Sequence, residues 1–331
     1  KITLPDSLKS IGNSAFINAG LKEVEIPASV TTLAGSYVFS GCSQLEKVTF
    51  KDASKLTALG SYTFDGCKSL KEIDLSKATK LTTLSTYMFR DCTSLGKVLL
   101  PSTIKTIGSS SSSGSYVFAN CTSLKEIDLP ASVEKIGSYT FYNTGLTSIT
   151  IPDKVTNLGY GSSSASTTTK SYMFADCKKL KTVNISSASK LIQLGEGVFQ
   201  NCVELENIEL KKFTTVGNYA FENCSKLRVA KLEAITSYNI GIAAFRNCSS
   251  LADVKLSTKL TELKARVFQN CTALTEITIP ANVTKIGNMT TSASSIATYD
   301  VEGESYGYTF AGCTNLKTVK FAGAKLTAIG Y

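Results

Sequence analysis

Apolar positions recur along the chain in one fixed order: a phenylalanine, a leucine six residues on, then two apolar residues at alternate positions, as in Phe39, Leu45, Val48 and Phe50. Phenylalanine sets the register at Phe16, Phe39, Phe64, Phe89, Phe118, Phe141, Phe174, Phe199, Phe221, Phe245, Phe268 and Phe310, and most successive spacings fall between 22 and 25 residues. Only Phe50, Phe213 and Phe321 of the fifteen lie outside it. Each unit continues as Leu-x-x-[Ile/Val]-x-[Leu/Ile/Phe], for example Leu70, Ile73, Leu75 or Leu274, Ile277, Ile279. That alternation predicts a short strand. All six prolines follow its last apolar residue, where a ring that cannot donate to a ladder does least harm. A second apolar pair follows, as in Val133 and Ile136 or Val283 and Ile286, capped by Gly137 and Gly287. Glycine there suits a tight turn with positive φ. The segment around Tyr-x-Phe-x-x-Cys is too short for an isolated helix and predicts one helical or 3₁₀ turn held by packing.

A unit of about 23 residues with one short strand cannot bury its own apolar face, whereas stacked units share a continuous core. The predicted fold class is therefore an α/β, β-rich solenoid over residues 1–331 as a single domain. It has a parallel β-sheet on one face, short helical or 3₁₀ turns on the other, and about twelve rungs spanning on the order of 58 Å. The pattern Ile-Gly-x-Tyr-x-Phe-x-x-Cys-x-x-Leu-x-x-Ile-x-Leu-Pro resembles the BspA-like, or treponemal-type, leucine-rich repeats over essentially the whole chain. The resemblance implies a right-handed superhelix and a surface-exposed or secreted protein. It also implies a part in adhesion to host matrix proteins or other cells, with no shared catalytic motif. The chain starts inside a strand, with Ile2 and Leu4, and stops at Gly330-Tyr331 just before another phenylalanine is due. Solenoids cap their terminal rungs, so the expectation is a segment of a longer array, uncapped at both ends and flanked by further repeats or domains.

Composition narrows the chemistry. Histidine and tryptophan are absent, which removes Ser-His-Asp, Cys-His and His-ligated zinc sites. The 35 basic and 26 acidic residues leave a net charge of +9, but the basic residues are scattered and the longest runs are pairs such as Lys178-Lys179. No nucleic-acid stripe or polybasic membrane patch results. No apolar stretch approaches the roughly 20 residues of a membrane helix, and Lys1 begins no signal peptide. The expected protein has no cofactor and no metal.

Ten cysteines, Cys42 to Cys313, each stand three residues after an in-register phenylalanine, and the units at Phe16 and Phe141 lack one. Neighbouring rungs set such side chains about 5 Å apart, wider than the roughly 3.8 Å between Cβ atoms of a relaxed disulfide, so buried free thiols are expected. Tyrosine precedes the phenylalanine by two residues at Tyr37, Tyr62, Tyr87, Tyr116, Tyr139, Tyr172, Tyr219 and Tyr308. Such a row either binds sugar rings or a protein partner, or stacks on itself with hydroxyls in water, the plainer reading.

The outward strand positions form the candidate recognition surface. Glu23, Lys47, Glu72, Lys97 and Glu126 alternate in sign, with Lys22, Glu46 and Lys71 in opposite phase, a pattern that keeps like charges apart in a sheet. Two residues on, the row reads Glu25, Thr49, Asp74, Leu99, Asp128, Thr150, Asn184, Glu209, then Lys231, Lys255, Thr278 and Lys320. This change of sign gives a partner laid lengthwise a polarity to read, or is unselected variation on a solvated face. Carboxylate pairs such as Glu23 with Glu25, Glu72 with Asp74 and Glu126 with Asp128 have the spacing of inverting glycosidases but lack the desolvated pocket a general acid needs. Insertions at 109–115, 160–171 and 288–307 share one edge, and the third carries Tyr299 and Tyr306 in an alternating run that suits a small hairpin. Its three acids suggest calcium, without a known loop spacing. Seven Asn-x-Ser/Thr sequons occur, four of them (Asn120, Asn223, Asn247, Asn270) as Asn-Cys-Ser/Thr within the repeat. The resulting expectation is a non-enzymatic extracellular or cell-surface protein that binds a protein or glycan. The alternatives are a structural segment of a fibre, sheath or stalk, and, third, a glycan-acting hydrolase.

Overall fold

The computed structural model describes residues 2–33, 35–108, 114–156, 158, 170–185, 191, 193–210, 213–237, 239–287, 307–323 and 325–329. Most of each insertion (109–113, 160–169 and 288–306) lies outside the described residues, and with it the hairpin, the calcium reading, Tyr299 and Tyr306.

The alternating segments pair as parallel strands. Glu23–Ile26, Lys47–Phe50, Glu72–Asp74 and Lys97–Leu99 form one sheet in chain order, with Val24 opposite Val48 and Ile73 opposite Val98. Their inward residues are buried and the outward ones exposed, the pattern that a one-sided sheet imposes. The same pairing recurs between Ser148–Ile151 and Thr182–Ile185, between Val229–Lys231 and Asp253–Lys255, and between Glu276–Ile279 and Thr318–Phe321.

Several units yield a second strand beyond the one read from the sequence. The second apolar pair is itself a two-residue strand: Thr32–Leu33 pairs with Ala58–Leu59, and Thr83–Leu84, Thr106–Ile107 and Lys135–Ile136 pair in succession. Asn239–Ile240, Glu262–Leu263, Lys285–Ile286 and Ala328–Ile329 do the same. Two residues are too few to show a period, so only the stacking of rungs reveals them.

The expected helical or 3₁₀ turns do not form: among the described residues there is no helix of either kind. The residue two before each phenylalanine and the residue two after it have positive φ, as at Tyr37 (62°) and Gly41 (71°), which breaks any right-handed run. The segment is instead a chain of tight turns, with Ser40 N donating to Tyr37 O at 3.2 Å and Cys42 N to Phe39 O at 3.1 Å. Alternate amides leave the rung: Tyr37, Phe39 and Gly41 donate to the carbonyls of Ser61, Thr63 and Asp65 at 3.0, 2.8 and 2.7 Å. The turn wall is thereby hydrogen-bonded from rung to rung, much as the strands are.

Glycine at the end of the short strand has two roles. Gly287 takes the expected positive φ of 78°, whereas Gly137 does not. Gly241 serves close approach, because a Cβ on it would stand 2.2 Å from the carbonyl carbon of Gly217 in the rung before.

The twelve register phenylalanines form one unbroken stack, consecutive ring centroids lying 5.3 to 5.8 Å apart. From Phe39 to Phe268 these rings have no solvent exposure, and a single apolar cluster runs from Ile11 to Ile286. All ten cysteines are free, nine of them buried and Cys313 half-buried.

Candidate interaction surface

The outward rows of the long strands align as the sequence implies. Glu25 stands opposite Thr49, Asp74 opposite Leu99, Thr150 opposite Asn184, Lys231 opposite Lys255 and Thr278 opposite Lys320. Asp128 and Glu209 are exposed, in stretches (121–130 and 201–210) where the expected long strand does not form. In the neighbouring row, Glu23, Lys47, Glu72 and Lys97 face one another in alternating sign.

Ion pairs cross from rung to rung beside these rows. Lys71 meets Glu46 at 2.7 Å, Lys51 meets Asp6 at 2.9 Å and Glu25 at 3.6 Å, Lys320 meets Glu276 at 2.9 Å, and Lys231 pairs with Asp253. The bond from Lys71 holds the Glu46 carboxyl below its ordinary range, and the Ser76 hydroxyl and amide do the same for Asp74. Such exposed pairs are screened by solvent and mainly keep the face evenly charged. The carboxylates paired along one strand stand in solvent beside lysines, the opposite of the dry setting that raises a general acid's pKa.

The tyrosines stack on one another. Tyr37, Tyr62, Tyr87, Tyr116, Tyr139 and Tyr172 follow at centroid distances of 4.4, 4.4, 5.1, 4.5 and 5.2 Å. Desolvation within the row, reinforced by its neighbours, pushes the Tyr62 phenol up to about 12. Arg90 lies over the rings of Tyr62 and Tyr87 at 5.7 and 4.9 Å and bonds both oxygens of Asp65, at 2.7 and 3.0 Å. The row ends at Gly197: the Tyr172 ring lies where a Cβ would be, 2.2 Å from its Cε1, and its hydroxyl donates to Glu196 Oε1 at 2.7 Å.

Two features escape sequence reasoning. First, every cysteine thiol donates to the carbonyl of the phenylalanine in the preceding rung, from Cys42 to Phe16 O at 2.9 Å through Cys313 to Phe268 O at 3.0 Å. Burial raises the pKa of these thiols, so they remain protonated donors. Second, where the residue two after the phenylalanine is Asn or Asp, from Asp91 to Asn270, it builds a side-chain ladder. Asn120 donates to Asp91 at 2.7 Å and Asn143 to Asn120 at 2.9 Å. A second run joins Asn201 to Asp176, then Asn223, Asn247 and Asn270 in turn, at 3.0, 2.6, 2.6 and 2.7 Å. Both runs begin at an aspartate, which accepts but cannot donate. The four repeat sequons therefore have their amide nitrogens committed inside this ladder. The cue was the restriction of this position to Asn, Asp and Gly, the residues that tolerate the left-handed conformation.

Among the described residues, no helix is long and apolar enough to cross a membrane, and no cluster of three or more metal-ligating side chains occurs.

Two parallel ladders and a turn wall, closed over a ring stack, define a leucine-rich repeat solenoid. The chain belongs to the family described as the BspA type leucine rich repeat region, which it matches in six copies over residues 1–115, 108–170 and 167–298. It is similar to a leucine rich cell surface protein of Faecalibacterium prausnitzii, with 25% identity, a TM-score of 0.59, and coverage of 96% of this chain and 84% of that one. It shares its fold with a leucine-rich repeat protein of Bacteroides ovatus at 23% identity and TM-score 0.57, covering 97% and 78% of the two chains. The same holds for the pneumococcal vaccine antigen PcpA at 17% identity and TM-score 0.53, covering 97% and 84%. No curated protein sequence matches the chain.

Proposed function

We propose that this chain is a non-enzymatic adhesive segment displayed at a cell surface or secreted, binding an extracellular protein or glycan. Its binding surface comprises the outward long-strand rows and the edge bearing the tyrosines and insertions. The observation that carries this reading is the division of the molecule into an inner row of stacked, solvent-free rings and an outer face whose side chains alternate in register. The buried apolar residues of the ring row and the strands pack on one another, which turns the outer face toward any partner. The cell-surface description of the Faecalibacterium protein supports the location. Retention of the chain on immobilised matrix proteins and glycans tests the function. Reversing the charge of Lys231, Lys255 and Lys320 together is expected to slow capture of a protein ligand at low salt; unchanged capture would remove the strand face from the reading.

A further inference from the structure

The two sets of strands carry their lysines differently. On and beside the long strands, Lys51, Lys71, Lys231 and Lys320 each meet a carboxylate. In the segments that lead from a long strand into the short strand after it, Lys55, Lys77, Lys80, Lys105, Lys135 and Lys154 are all exposed. None of these six makes an ion pair among the described residues. They belong to five consecutive units, those of Phe39, Phe64, Phe89, Phe118 and Phe141. The sequence scatters them, but stacking at about 4.8 Å per rung gathers them into one strip about 19 Å long.

Few acids offset the strip. Asp52, Glu134 and Asp153 are those of the same segments, and Asp52 accepts from the Ser54 amide and hydroxyl, each at 2.9 Å. The middle segments, 75–84 and 100–107, hold Lys77, Lys80 and Lys105 and no acid. The backbone beneath is fixed from rung to rung. Thr57 Oγ1 donates to Thr31 O at 3.0 Å, Thr103 Oγ1 to Leu81 O at 2.7 Å and Ser132 Oγ to Ile104 O at 2.6 Å, while Thr106 pairs with Thr83 on one side and Lys135 on the other. Like charges gathered on such a frame repel, and an anionic chain laid across the rungs relieves that repulsion. These segments contain no arginine and no aromatic ring, the side chains on which nucleic-acid bases stack. Lysine point charges beside threonine hydroxyls suit sulfate or carboxylate groups on a hydroxyl-rich polymer.

We propose that the strip from Lys55 to Lys154 binds an acidic polysaccharide whose sulfate or carboxylate groups lie across successive rungs. The strip rests on the binding function proposed above and names a ligand class for it. It lies outside the long-strand rows and the tyrosine row, so it adds a surface that can be tested apart from them.

The test passes the whole chain over immobilised heparin, hyaluronan and oligothymidylate across a series of salt concentrations. Heparin is expected to bind, less tightly as salt rises. Binding of hyaluronan as well would assign carboxylate groups to the strip, and binding of heparin alone would assign sulfate. Lys80→Glu, Lys105→Glu and Lys135→Glu combined are expected to weaken heparin binding by about tenfold or more. Reversing Lys231, Lys255 and Lys320 makes the same change in net charge and is expected to stay within about threefold. The three strip positions are exposed, so an unchanged melting temperature certifies the fold. Equal losses in the two triple variants would overturn the strip, because overall charge would then account for the binding. So would failure of both polysaccharides to bind at low salt, or tighter binding to oligothymidylate than to either. Retention of the same preparation on matrix proteins would show that the broader adhesive reading survives that failure.

Discussion

Two residues flanking each phenylalanine adopt positive φ, and what occupies them differs in kind. After the ring stand Asn, Asp or Gly, which tolerate that backbone; before it stand mostly tyrosines, which do not, at a cost of about 1–2 kcal/mol each offset by stacking. The asparagines add a ladder whose direction is fixed, each amide donating toward the preceding rung. Asn143 and Asp176 occupy consecutive rungs, joined by Asn143 N donating to Ala175 O at 2.8 Å. Asp176 has no hydrogen to donate to Asn143, so the ladder breaks there. Asp176→Asn is expected to join the two runs and to stabilise the protein by about 1 kcal/mol, seen as a rise in urea midpoint. The thiols add a pH dependence. Their folded pKa values lie above the ordinary 9.0, so the folded chain keeps protons that the unfolded chain releases. The stability from this source is complete below that value and is lost as pH rises past it. The melting temperature is expected to fall as pH rises from about 9 to about 10.5, reversibly under reducing conditions.

At the scale of the element, the long strands and the stacked phenylalanines were legible in the sequence, because alternation and a repeating register both leave a period. The short strands and the turn wall were not. Thr32–Leu33 is a strand only because Ala58–Leu59 lies beside it. Length alone points to a helical turn around Tyr-x-Phe-x-x-Cys, whereas the recurrent Asn, Asp or Gly two residues after the phenylalanine marks the left-handed backbone that prevents it. Of the candidate surface, the sequence placed Glu25, Asp74, Lys231, Lys255 and Lys320 in the rows where the strands hold them, and its plainer reading of the tyrosines, that they stack on one another, is what the structure has. The ring stack sets the strength of these elements. Phe118 lies between Phe89 and Phe141 at 5.4 and 5.6 Å with no exposure. Phe118→Ala is expected to cost about 3–5 kcal/mol, measured by urea unfolding.

For the whole molecule, contacts run between neighbouring rungs and the core is shared by all of them, which is the arrangement that lets short units remain folded. The cysteines report on that core along its length, since ten rungs carry one, each bonded to the ring-bearing residue of the rung before. The same regularity leaves the outer rows free to differ from rung to rung without disturbing the interior, as their change from Glu25 and Asp74 to Lys231 and Lys255 illustrates. The most direct measurement is residue-resolved alkylation of the thiols, read by mass spectrometry on the native and the denatured protein under non-reducing conditions. The shared core predicts that all ten react once unfolded, whereas in the native state the nine buried thiols are protected and Cys313 reacts first. Fewer than ten reactive thiols after denaturation, or rapid native labelling at Cys92, Cys121 or Cys202, would contradict it.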